Sequence, residues 1–146
     1  MKKRFTSAFS LVELTIAIGI AAFCLIAVFG LVPVGVQTNR NATSQTAATN
    51  VMAAVIADLR ATPTSTITSS QFAISFGTSG TQTRYFDGSG TASTSLTANS
   101  RYRLDITWSS APTGLRYAGV KVWWPAAATA ANASGSTEMF AAFDRN

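Results

Sequence analysis

MKKRFTSAFSLVELTIAIGIAAFCLIAVFGLVPVGVQTNR, residues 1–40 of this 146-residue chain, holds the pattern that decides its fold. Lys2, Lys3 and Arg4 open it, Glu13 is the next charge, and 26 uncharged residues then run to Arg40. As an α-helix those residues cover about 39 Å at roughly 1.5 Å per residue. The hydrocarbon core of a bilayer is about 30 Å thick and needs about 20 such residues to cross. Basic residues precede the run and Arg40 is the first to follow it. The positive-inside rule therefore predicts a cytoplasmic N-terminus, with the bulk of the chain outside. A secretory signal peptide would carry roughly 7 to 15 apolar residues and then a small-residue cut. This run is longer, and a carboxylate stands at its entrance. An acidic group at the centre of a bilayer costs roughly 2.5–3.5 kcal/mol, so Glu13 implies a purpose and a partner.

Composition narrows the chemistry. The chain has no His and one Cys, Cys24. That excludes His/Cys zinc sites and His-dependent nucleophilic sites within it. Cys24 lies in the apolar run and reads as a small hydrophobe. No intramolecular disulfide can form, so a small exported domain must rely on its core, its anchor or its neighbours. The net charge is +5, but without Lys2, Lys3 and Arg4 eight basic residues face six acidic ones, a net of +2. Arg101 and Arg103 are the one tight basic pair, which reads as a solvated strand face; no direct binding of nucleic acid is expected.

The stretch Ala8-Phe9-Ser10-Leu11-Val12-Glu13 resembles the prepilin processing motif of type IV pilins and type II secretion pseudopilins. The resemblance implies a cut between Ala8 and Phe9 by a prepilin peptidase and N-methylation of the new terminus on Phe9. Glu13 then stands at the fifth mature position, as the motif requires. The family usually has Gly before the cut, where this chain has Ala8. In the family the Glu is thought to pair with the N-terminal amine of an adjacent subunit. Physically, a carboxylate four residues from a new amine offsets its charge, and pairing removes a costly unpaired ion from hydrocarbon. The implied partners are the peptidase, other pilin or pseudopilin subunits, an inner-membrane assembly platform and the lipid bilayer. The implied location is the inner (cytoplasmic) membrane as a single-pass protein, then the filament. The strand, loop and short final strand of the C-terminal region resemble pseudopilins of the I type, minor pilins of the V type and Verru_Chthon cassette protein B. That ending, and the lack of the disulfide loop common in major pilins, point to a minor subunit.

Small residues recur along the apolar run, among them Ala17, Gly19, Ala21, Gly30 and Gly35, and they let helices approach closely. Gly30 and Pro33 predict a helix kink, since a proline removes one hydrogen bond. By analogy with pilins, the helix unwinds locally there on assembly. Beyond Asn39, Ala48, Val51, Met52, Val55, Ile56 and Leu59 recur at three- and four-residue steps, an amphipathic face for packing on a sheet. Arg60 and Pro63 mark the helix end. One nearly continuous helix from Phe9 to Ala61 is expected. In residues 101–108, Tyr102, Leu104, Ile106 and Trp108 alternate with Arg101, Arg103, Asp105 and Thr107, a half-buried strand. Residues 116–124 form a second strand with Val120, Val122 and Trp124 on one face, and the two make a hairpin. Residues 71–76 and 138–143 are weaker strand candidates, and residues 126–135 read as a loop. The fold class is α+β, a long helix whose first half spans the membrane, packed on a small antiparallel sheet. The expected organisation is a leader over 1–8, a hydrophobic half-helix over 9–39, an amphipathic half-helix over 40–62 and a β-rich domain over 63–146.

Other motifs carry less. Gly77-Thr-Ser-Gly80 and Gly88-Ser-Gly90 read as turns, because no nucleotide-binding loop and helix follow. Asp87-Gly-Ser-Gly could open a calcium loop, but no second carboxylate cluster follows. Asp58, Asp105, Glu138 and Asp144 are too dispersed to name a catalytic pair. No catalytic, cofactor-binding or metal-binding residue is expected, and no enzyme activity. Trp123 and Trp124 read as one ring facing the core and one under a neighbouring loop, in preference to a binding platform with Tyr117. Three readings diverge in their mature ends. A filament subunit begins at Phe9 and fails to assemble as Glu13→Ala. A single-pass, membrane-anchored extracytoplasmic binding module keeps its N-terminus and is indifferent to Glu13. A secreted enzyme is cut near Val36.

Overall fold

The computed structural model describes residues 10–76, 80–109 and 114–145. Helix α1 runs Leu11–Ala61, and five strands follow: β1 (Gly80–Phe86), β2 (Ala92–Ser93), β3 (Tyr102–Trp108), β4 (Leu115–Trp124) and β5 (Gly135–Asp144). The sheet is antiparallel throughout, in the order β2-β1-β3-β4-β5. A long helix with an antiparallel sheet is the expected α+β architecture. The helix reaches from Leu11 to Ala61; Phe9 lies outside the described residues, as do residues 77–79 of the first glycine-rich turn. The chain divides between Arg40 and Asn41 into two compact units, and the second holds the end of α1 and the whole sheet.

The amphipathic stripe works as its spacing predicts. Ala48, Val51, Met52, Val55, Ile56 and Leu59 are buried in one cluster with Leu104, Ile106, Ala118, Val120, Val122 and Phe143 of the sheet. Tyr102, Leu104, Ile106 and Trp108 alternate inward along β3, because successive strand side chains point to opposite faces. β4 follows the same period, with Ala118, Val120 and Val122 inward. The β3–β4 register sets Leu104 opposite Val122 and Ile106 opposite Val120, the expected hairpin.

Two sequence expectations need correction. Residues 71–76 do not form a strand; they make a turn and one isolated bridge between Thr68 and Ser75. Side chains take the main-chain groups that a ladder would use. Asp58 accepts the amides of Gln71 at 3.2 Å and Phe72 at 3.1 Å. Arg84 donates to the carbonyls of Phe72 and Ala73. The Gln82 amide both accepts from and donates to the main chain of Ser75. Phe72, Ile74 and Phe76 are nonetheless buried. The weak candidate at 138–143 is the middle of a ten-residue strand that starts at Gly135, so the loop before it ends one residue early. Gly135 is required there: a Cβ would stand 2.3 Å from the Trp124 ring.

Candidate functional site: the N-terminal helix and the outer sheet face

The start of α1 is held by a reciprocal cap. The Ser10 hydroxyl accepts the Val12 amide at 3.3 Å, and a Glu13 carboxylate oxygen accepts the Ser10 amide at 3.1 Å. Two of the helix's unsatisfied N–H groups are thus answered. Glu13 also sits in the first turn, where a negative charge complements the helix dipole. The Ser-x-x-Glu spacing is a local sequence signal of such a cap, and it gives Ser10 a role that the expected pairing of Glu13 with an amine does not. Ala8 and Phe9 lie outside the described residues.

Above the cap the helix is apolar on every side. Phe23, Ile26, Phe29 and Leu31 are all exposed, although side chains of this kind are normally buried. The most apolar 18-residue window has a mean hydropathy of 2.7, and none of it is buried within the molecule. A helix that is hydrophobic all round belongs in a membrane or a bundle. By length and composition α1 can cross a membrane. Pro33 lies within α1, and the helix continues through it. A Cβ on Gly30 or Gly35 would meet nothing within 4 Å, so both positions leave the helix surface open to close approach. Glu13 and Gly30 are separated by about 26 Å along the axis at the usual rise, so the predicted residues form a line rather than a cluster.

The second site lies on the sheet face turned away from the core. Thr81, Thr107, Gly119 and Phe140 stand in one cross-strand row, and Thr83, Asp105, Lys121 and Glu138 in the next. The Asp105 carboxylate accepts from the Thr83 hydroxyl at 2.7 Å and pairs with Arg103 at 3.2 Å. Lys121 pairs with Glu138 at 3.6 Å. These rows, Thr83 apart, line a groove of about 540 Å³ together with Tyr117 and Trp123. The tryptophans divide between the two faces, one of them on the core side as expected. Trp124 packs against the core and stands edge-on to Tyr102. Trp123 lies on the outer face under the Arg103 guanidinium, 5.0 Å from the ring centre. A platform of both tryptophans with Tyr117 is therefore ruled out, because the two rings are on opposite faces.

Among the described residues no group of three His, Cys, Asp or Glu side chains could hold a metal ion. Asp87 closes its own loop instead, accepting the Ser89 amide and hydroxyl and the Thr91 amide. The Ser89 hydroxyl bond, then the Thr91 amide, hold its carboxyl below the usual range. No family model, curated protein or solved structure matches this chain.

Proposed function

We propose that this chain is a structural, minor subunit of a type IV pilus or type II secretion-like pseudopilus. It is cut between Ala8 and Phe9 by a prepilin peptidase, methylated on Phe9 and assembled through α1. The observation that carries this reading is Glu13 at the mouth of the apolar run, four residues after Phe9. The all-round apolar helix supports it, since side chains exposed on every side need lipid or other helices around them. In assembly the Glu13 carboxylate exchanges its bond to Ser10 for the amine of a neighbouring Phe9, and the charge pair sets the axial register. The helix around Gly30 and Pro33 unwinds to accommodate packing. The protein sits in the inner membrane with its C-terminal domain outside before it enters the filament.

A single-pass anchored binding module is the second reading, and the groove on the sheet face favours it. The two part at the mature N-terminus. Expressed in a host with a prepilin peptidase, the chain is expected to begin at methylated Phe9 by intact mass and N-terminal peptide mass spectrometry. Retention of Met1 supports the permanent anchor instead, and a cut near Val36 supports a secreted protein.

A further inference from the structure

The outer sheet face has no part in anchoring or in the core, yet it exposes large rings over a shaped floor. Phe140 is 75% exposed and Tyr117 54%. Between them lies Gly119, whose missing side chain leaves a hollow that the Phe140 ring overhangs; a Cβ there would come within 3.2 Å of it. The floor row of Thr81, Thr107, Gly119 and Phe140 crosses four strands, about 14 Å at the usual strand spacing. We propose that this groove binds a neutral saccharide chain.

Three features choose that ligand. First, the charges are already compensated. Asp105 faces Arg103, and Lys121 faces Glu138, so the groove offers no net charge to a phosphate, a polyanion or a cation. Second, β3 and β4 are internal strands with both edges in ladders, so a peptide cannot add to the floor as another strand. Recognition there belongs to side chains alone. Third, those side chains are of two kinds set side by side: aromatic faces, and a row of hydroxyl, carboxylate and ammonium groups that both donate and accept. A pyranose ring presents the matching pair, an apolar C–H face for the rings and a rim of hydroxyls for the polar row. The groove volume lies within the roughly 300–1,000 Å³ of ligand sites, and its length suits several sugar units rather than one. This inference does not depend on the filament reading, because an anchored module would present the same face.

The test uses the full chain in lipid nanodiscs, since alkyl glycoside detergents would compete for the groove. Cellohexaose, chitohexaose and maltohexaose are titrated by calorimetry against the wild type and against a Tyr117→Ala/Phe140→Ala double variant. Both side chains are exposed, so circular dichroism should be unchanged in the variant. The expected result is saturable binding of at least one saccharide, insensitive to salt because the ligand is neutral, and weakened about tenfold or more in the double variant. Absence of binding by all three at about 10 mM overturns the proposal, as does equal binding by the variant. A double variant that alters oligomeric state while leaving saccharide affinity intact also overturns it, and assigns the face to a second copy of the chain.

Discussion

Asp58 shows how one residue can organise a loop. It sits on α1, 7% exposed, among the apolar side chains of the core. Its carboxylate accepts the amides of Gln71 and Phe72 and the Ser70 hydroxyl. A buried carboxylate is costly unless its oxygens are answered, and here three donors answer them. Asp58→Ala removes the acceptor and leaves the Phe72 amide buried without a partner. Such an orphan costs about 1–3 kcal/mol, and a loss of that size in urea unfolding is expected. Asp58→Asn should recover part of it by keeping one acceptor oxygen. Asp87 makes a different demand. Its carboxyl is held low in the folded state by Ser89 and Thr91, so folding favours the ionised form. That contribution is complete above the unfolded value of about 3.9 and is lost as pH falls through the lower folded value. The amide resonances of Ser89 and Thr91 should therefore hold position below pH 4 and move only in stronger acid. Movement centred on the ordinary value would show that the loop bonds do not favour the charged form.

At the scale of elements, legibility followed hydrophobic period. The lower half of α1 and the β3–β4 hairpin were readable because Val51, Val55, Leu59 and Leu104, Ile106, Val120, Val122 repeat at the spacing of their own element. β1 was not, and its inward positions explain why. Gln82 and Arg84 face inward, where a strand normally carries apolar residues, because they hold the main chain of residues 72–75. The polar code of β1 and the failed strand at 71–76 are thus one fact seen from two sides. The cap of α1 was half legible: Ser10 and Glu13 are three apart, a local signal. Where the other end falls was legible from Arg60 and Pro63, but the clamp that holds it was not, since it is distant in sequence. Arg145 donates to the carbonyls of Thr62, Pro63, Thr64 and Thr66, and its guanidinium lies 4.0 Å from the centre of the Phe76 ring. A cation at a helix C-terminus also meets the negative end of the dipole. Arg145→Ala is expected to destabilise the fold by about 1–3 kcal/mol and to raise amide exchange across residues 62–66. Arg145→Lys should rescue little, because a point charge cannot reproduce four directed bonds. Unchanged exchange in Arg145→Ala would mean that the helix end is held by Thr62, whose hydroxyl donates to the Asp58 carbonyl at 2.7 Å.

At the scale of the molecule, one helix serves two environments and the division is visible in charge and burial. Up to Arg40 its apolar side chains are exposed; from Ala48 onward its apolar stripe is buried with the sheet. Every member of the core cluster lies at or beyond Ala48, and the compact unit begins at Asn41. The exposed apolar half of α1 should therefore be dispensable for folding. A chain beginning at Asn41 keeps the whole core and all five strands, and Asn is among the best residues to cap a new helix start. The shortened helix, residues 41–61, would be marginal alone, but its stability comes from packing of the apolar stripe rather than from its length. The truncated protein is expected to be soluble without detergent. Its near-ultraviolet dichroism should match that of the full chain, and its thermal midpoint should lie within about 5 °C of it. Amides of residues 41–46, ahead of the first core contact at Ala47, should exchange fast while those of 51–59 stay protected. A truncated chain that binds hydrophobic dye and lacks fixed aromatic signals would show instead that the sheet needs the first, apolar half of the helix to fold. A domain that folds alone is also what a filament subunit and an anchored module would both require, since each would fold outside the membrane before anything packs against it.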